Sequence, residues 1–385
     1  MIVRCGVFYD GTLEKPRENV DLRIENGTVA TIGPAEGDYD LSAACVTPGL
    51  VNAHAHFELN ATNDTVAEIT GTTPSQRMLI CVENARKALR AGVTTVRDVG
   101  CSGSLSIDLR DAVDSGRVEG PRIRAAGSAL CMTGGHGHWI GREVDNPWEA
   151  RKAVREQLAK GADCIKLIAT GGVLTKGAVP GQPQLSEEEM HAAIVEARTH
   201  GMRVAAHAIG TEGIKNALRA GVTSIEHGHL LDDEAIGLFK ERGAYLVPTL
   251  SAPACIIDHA SDGGQPEFVV RKAVALGEIL AGNIRKAWRA GVKLAGGSDA
   301  GTPFNFHEEY VRELELMCRQ LGMSPQEALH AATAVAGELV GAGTGTLTPG
   351  APADALLLTR DVAGGVQALR EPQTVIKAGA IAFAR

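Results

Sequence analysis

The chain has 385 residues, 44% hydrophobic and 22% charged, ordinary globular usage for a full buried core; the length suits a barrel of ~250 residues plus a smaller companion. A net charge of −8, 4% aromatic residues and no block of Lys and Arg argue against nucleic acid as a partner. No segment is apolar enough to span a bilayer, the start MIVRCGVFYDGT has no basic stretch ahead of an apolar one, and the eight cysteines include no Cys-x-x-Cys pair, so a cytoplasmic protein with reduced, buried thiols is expected.

The first fifty residues read as β. Short apolar runs at residues 2–9, 20–24 and 29–32 are separated by Asp10-Gly11 and Asn26-Gly27, both hairpin dipeptides. From residue 51 the rhythm becomes strand, loop, helix. Eight strands are expected at 50–53, 94–97, 123–126, 164–168, 203–206, 224–225, 245–247 and 293–295. Helical periodicity fills the gaps, as over 147–160 and 187–199, the latter opened by Ser186 as N-cap. Ala-Gly-Val recurs at 91–93, 220–222 and 290–292, which reads as a helix-ending glycine feeding the next strand. The tail returns to short β runs at 355–358 and 375–378. Neither terminus holds enough strands for a core of its own. The expected architecture is therefore α/β: a (β/α)8 TIM barrel over 51–344, with a small β-sandwich domain built jointly from 1–50 and 345–385.

Six residues at or near the ends of these strands spell out a binuclear metal site. His54 and His56, one residue apart on a strand, point the same way, towards the barrel mouth. Lys166 is a cation inside an apolar strand. Burial lowers the pKa of such an amine, and the neutral amine can add carbon dioxide to give a carbamate that bridges two cations. His207 and His227 each end a strand, one β/α unit apart, and His229 competes with His227 for the ligand role. Asp299, after Gly296-Gly297-Ser298, would bind one metal and shuttle a proton between water and leaving group.

Together, PGLVNAHAHF, AGVTTVRDVG, GADCIKLIATGG, GVTSIEHG, GGSDAGTP and GTGTLTPGAPADALLLTR resemble the motifs of the amidohydrolase superfamily, in its carboxylated-lysine binuclear subtype, over nearly the whole chain. The resemblance implies one divalent ion on His54, His56, Lys166 and Asp299, and a second on Lys166, His207 and His227. Zinc is the expected metal, with Lys166 carboxylated by CO2. Gly210 stands where the superfamily's one-metal deaminases carry a glutamate, which disfavours deamination and the ring-opening of imidazolone propionate. The stretch Met132-Thr133-Gly134-Gly135-His136-Gly137-His138 looks like the prolidase-like branch (Xaa-Pro dipeptidases and imidazolonepropionase-related enzymes), with His136 or His138 contacting the scissile carbonyl or the substrate carboxylate. The activity implied is hydrolysis of dipeptides or N-acyl amino acids by a metal-bridging hydroxide. Hydrolysis of another small amide, carbamate, lactam or ester, and a catalytically inactive scaffold, are the alternatives. The expected partner is a small, carboxylate-bearing substrate; the sequence leaves open whether the chain forms a homo-oligomer. Of the other histidines, His259 falls in an expected loop over 251–268 that reads as a lid, His307 falls near the mouth, and His191, His200 and His330 fall in helical stretches.

Overall fold

A computed structural model describes residues 1–385, the side chain of residue 278 excepted. In chain order its strands are β1 (Ile2–Phe8), β2 (Arg17–Glu25), β3 (Thr28–Pro34), β4 (Leu41–Pro48), β5 (Leu50–Ala55), β6 (Val93–Asp98), β7 (Arg122–Ala125), β8 (Leu130–Cys131), β9 (Arg142–Glu143), β10 (Cys164–Ile168), β11 (Arg203–Ala208), β12 (Ser224–His227), β13 (Tyr245–Val247), β14 (Lys293–Leu294), β15 (Ala355–Leu358), β16 (Thr374–Lys377) and β17 (Ala380–Ala384).

The two termini share one mixed seven-stranded sheet, ordered β17-β16-β15-β4-β1-β2-β3. Side chains alternate across it, as the two-residue period of a strand requires. Val3, Cys5, Phe8, Leu22, Leu357 and Ile376 meet in a core separate from that of the rest of the chain. The far edge curls back: Val29 N donates to Ala351 O (2.9 Å) and Gly350 N to Val29 O (2.8 Å), giving the sheet its sandwich form. At Asn26-Gly27 both residues have positive φ (49° and 81°), the primed turn this dipeptide favours. Asp10-Gly11 does not make the expected tight hairpin. The chain needs residues 9–16 to pass from β1 to β2, and Asp10 Oδ1 instead closes a local turn onto Thr12 N (2.8 Å).

All eight strands expected in the central region are present, as β5, β6, β7 and β10 to β14, most of them shifted or lengthened by a residue or two. They form two parallel sheets, β14-β13-β12-β11-β10-β8-β9 and β5-β6-β7. Hydrogen bonds join both edges of the three-stranded sheet to the seven-stranded one. Ala53 N donates to Gly296 O (2.9 Å) and Asp299 N to His54 O (2.8 Å) on one side, and Asp163 N to Ala125 O (2.8 Å) on the other. Strands β10 and β12 are buried along their whole length, the pattern of a parallel sheet covered on both faces.

Helices Pro147–Lys160 and Glu187–Thr199 have the expected ends, the second closed by a Ser186–Glu189 capping box. Gly221 and Gly291, from the repeated Ala-Gly-Val, have φ of 96° and 89° just past their helices, where a residue with a Cβ is strained. All eight cysteines are free and seven are buried. Among the described residues, no helix is long and apolar enough to cross a membrane.

Candidate metal centre

The parallel strands bring His54, His56, Lys166, His207, His227 and Asp299 to the lining of one cavity, whose empty volume is about 870 Å3 counted out to its mouth. His54, Lys166, His207 and His227 are all buried. His54, His56 and Asp299 place one ligand atom each within 4.8 Å of one another, a metal-binding cluster. Asp299 Oδ1 lies 3.2 Å from His54 Nε2 and 3.3 Å from His56 Nε2. The rings of His54 and His227 stand 5.2 Å apart and those of His207 and His227 4.5 Å apart.

Backbone and second-layer contacts leave a nitrogen free on each ring, which tests whether the donor set fits a cation. His54 Nδ1 donates to Glu226 Oε2 (2.8 Å) and His56 Nδ1 to Gly100 O (2.8 Å), so both Nε2 lone pairs face Asp299. His207 turns the other way: its Nε2 donates to Gly171 O (3.4 Å), which frees Nδ1. His227 Nδ1 pairs with Thr249 Oγ1 (2.7 Å). Fixed, buried imidazoles beside a carboxylate suit a divalent cation such as zinc. His227 and Asp299 also have φ of 75° and 60°, left-handed backbone that costs about 1–3 kcal/mol at each non-glycine residue and concentrates at functional sites.

The charge state of the site follows from burial and neighbours. Burial alone would raise the carboxyl of Asp299, but His54, His56 and His227 hold it well below the usual carboxylate range. Burial drives His207 and His227 well below the usual imidazole range, so both are neutral. Lys166 is pushed down to about 8 by burial, with Glu226 and Asp299 pulling the other way.

Beneath these side chains lies a buried network that sequence reasoning missed. Glu226 accepts from Arg97 Nη2 (2.8 Å) and His54 Nδ1, while Arg97 Nη1 reaches Ser224 Oγ (3.0 Å) and Arg97 Nε donates to Ala53 O (2.6 Å). Burial would raise Glu226, yet Arg97, His54 and Lys166 outweigh it and set it at about 2. The available signal was period two: Ser224 and Glu226 alternate with the apolar Ile225 on a strand too buried for a lone acid.

Of the glycine-rich histidines, His136 lines the metal cavity, and its ring packs 4.6 Å from that of His207. His138 turns back onto Gly135 O (2.8 Å) and lines a neighbouring hollow that shares Trp139 and Leu174 with the cavity. His229 also lines the cavity; its Nε2 donates to Pro248 O (3.4 Å), leaving a buried Nδ1 without a partner among the described residues. The expected loop over 251–268 is largely helix, because Ser251–Asp258 is helical and a second helix starts at Glu267. His259 stacks outside the cavity on Phe304 and pairs with Asp262 (2.6 Å). His307 is buried on Phe57, its Nε2 on Leu59 O (3.1 Å). His191 lies within the helix Glu187–Thr199 with its Nδ1 3.4 Å from Ala220 O, His200 caps the end of that helix, and His330 Nδ1 donates to Gly11 O (2.8 Å).

The sequence profile of the amidohydrolase family matches residues 45–382. The chain belongs to that family. As such it is a metal-dependent hydrolase. This amidohydrolase is 30% identical over 420 aligned positions to the ochratoxinase of Aspergillus niger, covering 97% of this chain and 84% of the relative. Its structure superposes on that of a Xaa-Pro dipeptidase with methionine bound in the active site, with a TM-score of 0.92, 33% identity and coverage of 100% of this chain and 99% of the other. A prolidase solved with N-methylphosphonate-L-proline gives a TM-score of 0.92 at 28% identity, over 100% and 99% of the two chains.

Proposed function

We propose that this amidohydrolase cleaves the amide bond of dipeptides or N-acyl amino acids with two divalent cations, on a closed (β/α)8 barrel over 51–344 beside a sandwich domain of 1–50 and 345–385. The observation that carries the chemistry is the Asp299 carboxylate set between two imidazole nitrogens at 3.2 and 3.3 Å. The hydrogen bonds that join both edges of the three-stranded sheet to the larger parallel sheet support barrel closure. In this reading His54, His56, Lys166 and Asp299 hold one zinc ion and Lys166, His207 and His227 the other. Bound there, the ions supply positive charge that polarises a carbonyl and makes water nucleophilic at neutral pH.

The chain's own residues do the rest. The amine of Lys166, neutral in part because burial brings it to about 8, adds CO2 and loses a proton to become a carbamate anion. Asp299 accepts the proton of the attacking water and passes it to the departing amine. His136, whose ring packs 4.6 Å from that of His207, meets the scissile carbonyl. Val99, Ile168, Ile209, Ile256 and Leu276 keep bulk water out and favour an apolar side chain on the substrate. No arginine lines the cavity among the described residues, and Lys166 is its one lysine. The adjoining hollow carries His138 and Lys176, which suit a substrate carboxylate at the rim.

Metal analysis of the purified protein is expected to give about two ions per chain. Asp299→Asn should keep its metal and lose turnover about 100- to 10,000-fold; unchanged turnover removes Asp299 from the reaction. A panel of dipeptides, N-acyl amino acids and carbamates decides the substrate. The cavity's lack of an arginine favours a second reading, hydrolysis of an uncharged amide, carbamate, lactam or ester. Activity confined to compounds without a free carboxylate would put that reading first.

A further inference from the structure

We propose that Thr175 sets the tautomer of His136, so that the imidazole presents an Nε2–H donor to the substrate's carbonyl oxygen. The inference rests on the assignment of His136 to the scissile carbonyl. Thr175 is buried, and its hydroxyl oxygen has three nitrogen neighbours: His136 Nδ1 at 2.9 Å, Gly137 N at 3.2 Å and Trp139 Nε1 at 3.4 Å. The Gly137 amide and the Trp139 indole are donors only. They occupy the two lone pairs of Oγ1, which leaves its single proton to be donated to His136 Nδ1. An imidazole that accepts at Nδ1 carries its own proton on Nε2.

The geometry around the ring agrees. A Cβ on Gly172 would lie 2.3, 2.5 and 2.6 Å from Nε2, Cδ2 and Cε1 of His136, so Gly172 packs on the face of the ring and not in the in-plane direction of Nε2. The loop that bears Thr175 is anchored from outside the cavity. Lys272, on the helix Glu267–Arg289, donates from Nζ to Thr175 O (2.8 Å), Gly172 O (3.3 Å) and Val173 O (3.4 Å). A neutral donor fixed in this way strengthens its bond as negative charge grows on the carbonyl oxygen, the sense required of a group that stabilises a tetrahedral intermediate.

The test uses metal-loaded enzyme and the best substrate of the panel above. In 15N-histidine-labelled protein, His136 is expected to carry its proton on Nε2, with Nδ1 as acceptor; a proton on Nδ1 overturns the proposal. Thr175→Val should lower kcat about 10- to 100-fold with KM little changed and metal content intact, and Thr175→Ser should recover most of the loss. A Val variant with full kcat, or a Ser variant as poor as Val, overturns it as well. His136→Gln offers an amide N–H that needs no tautomer, so adding Thr175→Val to it should cost little more; an undiminished further loss counts against the proposal. Full turnover in His136→Ala would instead remove His136 from the carbonyl, while the labelled spectrum still decides the tautomer.

Discussion

At the scale of single residues, the proposed ligands depend on partners outside the proposed metal shell. Glu226 orients His54 and neutralises Arg97, and all three are buried. Glu226→Gln keeps the shape but leaves Arg97 without its counter-charge. Breaking a buried pair from one side costs about 3–5 kcal/mol, and loss of a ligand's orienting partner weakens metal binding about 10- to 100-fold. Chelator titration and thermal unfolding of the variant check both numbers, and wild-type metal affinity would sink the orienting role. Gly172 shows the same economy from the opposite direction. With a Cβ position 2.3 Å from His136 Nε2, Gly172→Ala must displace the imidazole or the loop. Turnover is expected to fall while metal content stays constant, because neither His136 nor Gly172 is a ligand in the proposed site. These residues explain what was legible. The proposed ligand residues stand out by being polar at the ends of apolar strands. Their supports do not, since Arg97 lies within a motif noted for its fit to the family and Glu226 is masked by the histidine beside it.

At the scale of elements, strand ends set the site, and the helices that follow shape its wall. Capped helices were readable because their stop and start signals are local: Ser186 and Glu189 satisfy each other's backbone groups wherever the chain goes. The two-residue strands β8 and β9 were not, since they exist only through pairing with β10 and with each other. Strand β4 was likewise missed. Its residues Leu41–Pro48 lack a clean alternation and are recruited between β1 and β15 from opposite ends of the sequence. The helix Ser251–Asp258 belongs to this class. It has no side-chain N-cap of its own; instead Glu313, distant in sequence, accepts from Leu250 N (2.8 Å) and Ser251 N (2.7 Å). Because Ala252, Pro253 and Ile256 of this helix line the cavity, Glu313→Ala should loosen one wall. Leaving buried amides unpaired costs about 1–3 kcal/mol. A raised KM with unchanged metal content is the expected signature, and an unaltered KM would show that the helix start holds without Glu313.

At the scale of the whole molecule, the termini serve the central sheets as well as each other. Leu356, Leu358 and Val375 from the terminal sheet pack into the same apolar core as Leu50, Val96 and Ile165 from the central strands. Polar ties cross the same boundary, as Arg122 Nη1 donates to Asp354 Oδ2 (2.7 Å) and Lys377 Nζ to Gly120 O (2.7 Å), while Gly49 N donates to Asp354 O (2.8 Å) and Tyr9 Oη to Asp361 Oδ1 (2.8 Å) within the terminal part. Asp354 is 2% exposed and also accepts from Ala378 N, so it is the pivot of these contacts. Arg122→Ala leaves it short of a partner, at a cost of about 1–3 kcal/mol in global stability, readable as a lowered Tm in metal-loaded protein. A larger cut follows the same reasoning. A chain ending at residue 344 loses β15 to β17, strips β4 of its pairing with β15, and uncovers the apolar side chains that Leu356, Leu358 and Val375 shield. Each fully buried side chain of that size contributes about 1.5–3 kcal/mol, and a domain's whole margin is only about 5–15 kcal/mol. The shortened chain is therefore expected to be open to protease throughout and to bind no stoichiometric metal, even though every proposed ligand remains in it. A truncated protein that resists protease and takes up its full metal complement would show that the central region folds alone.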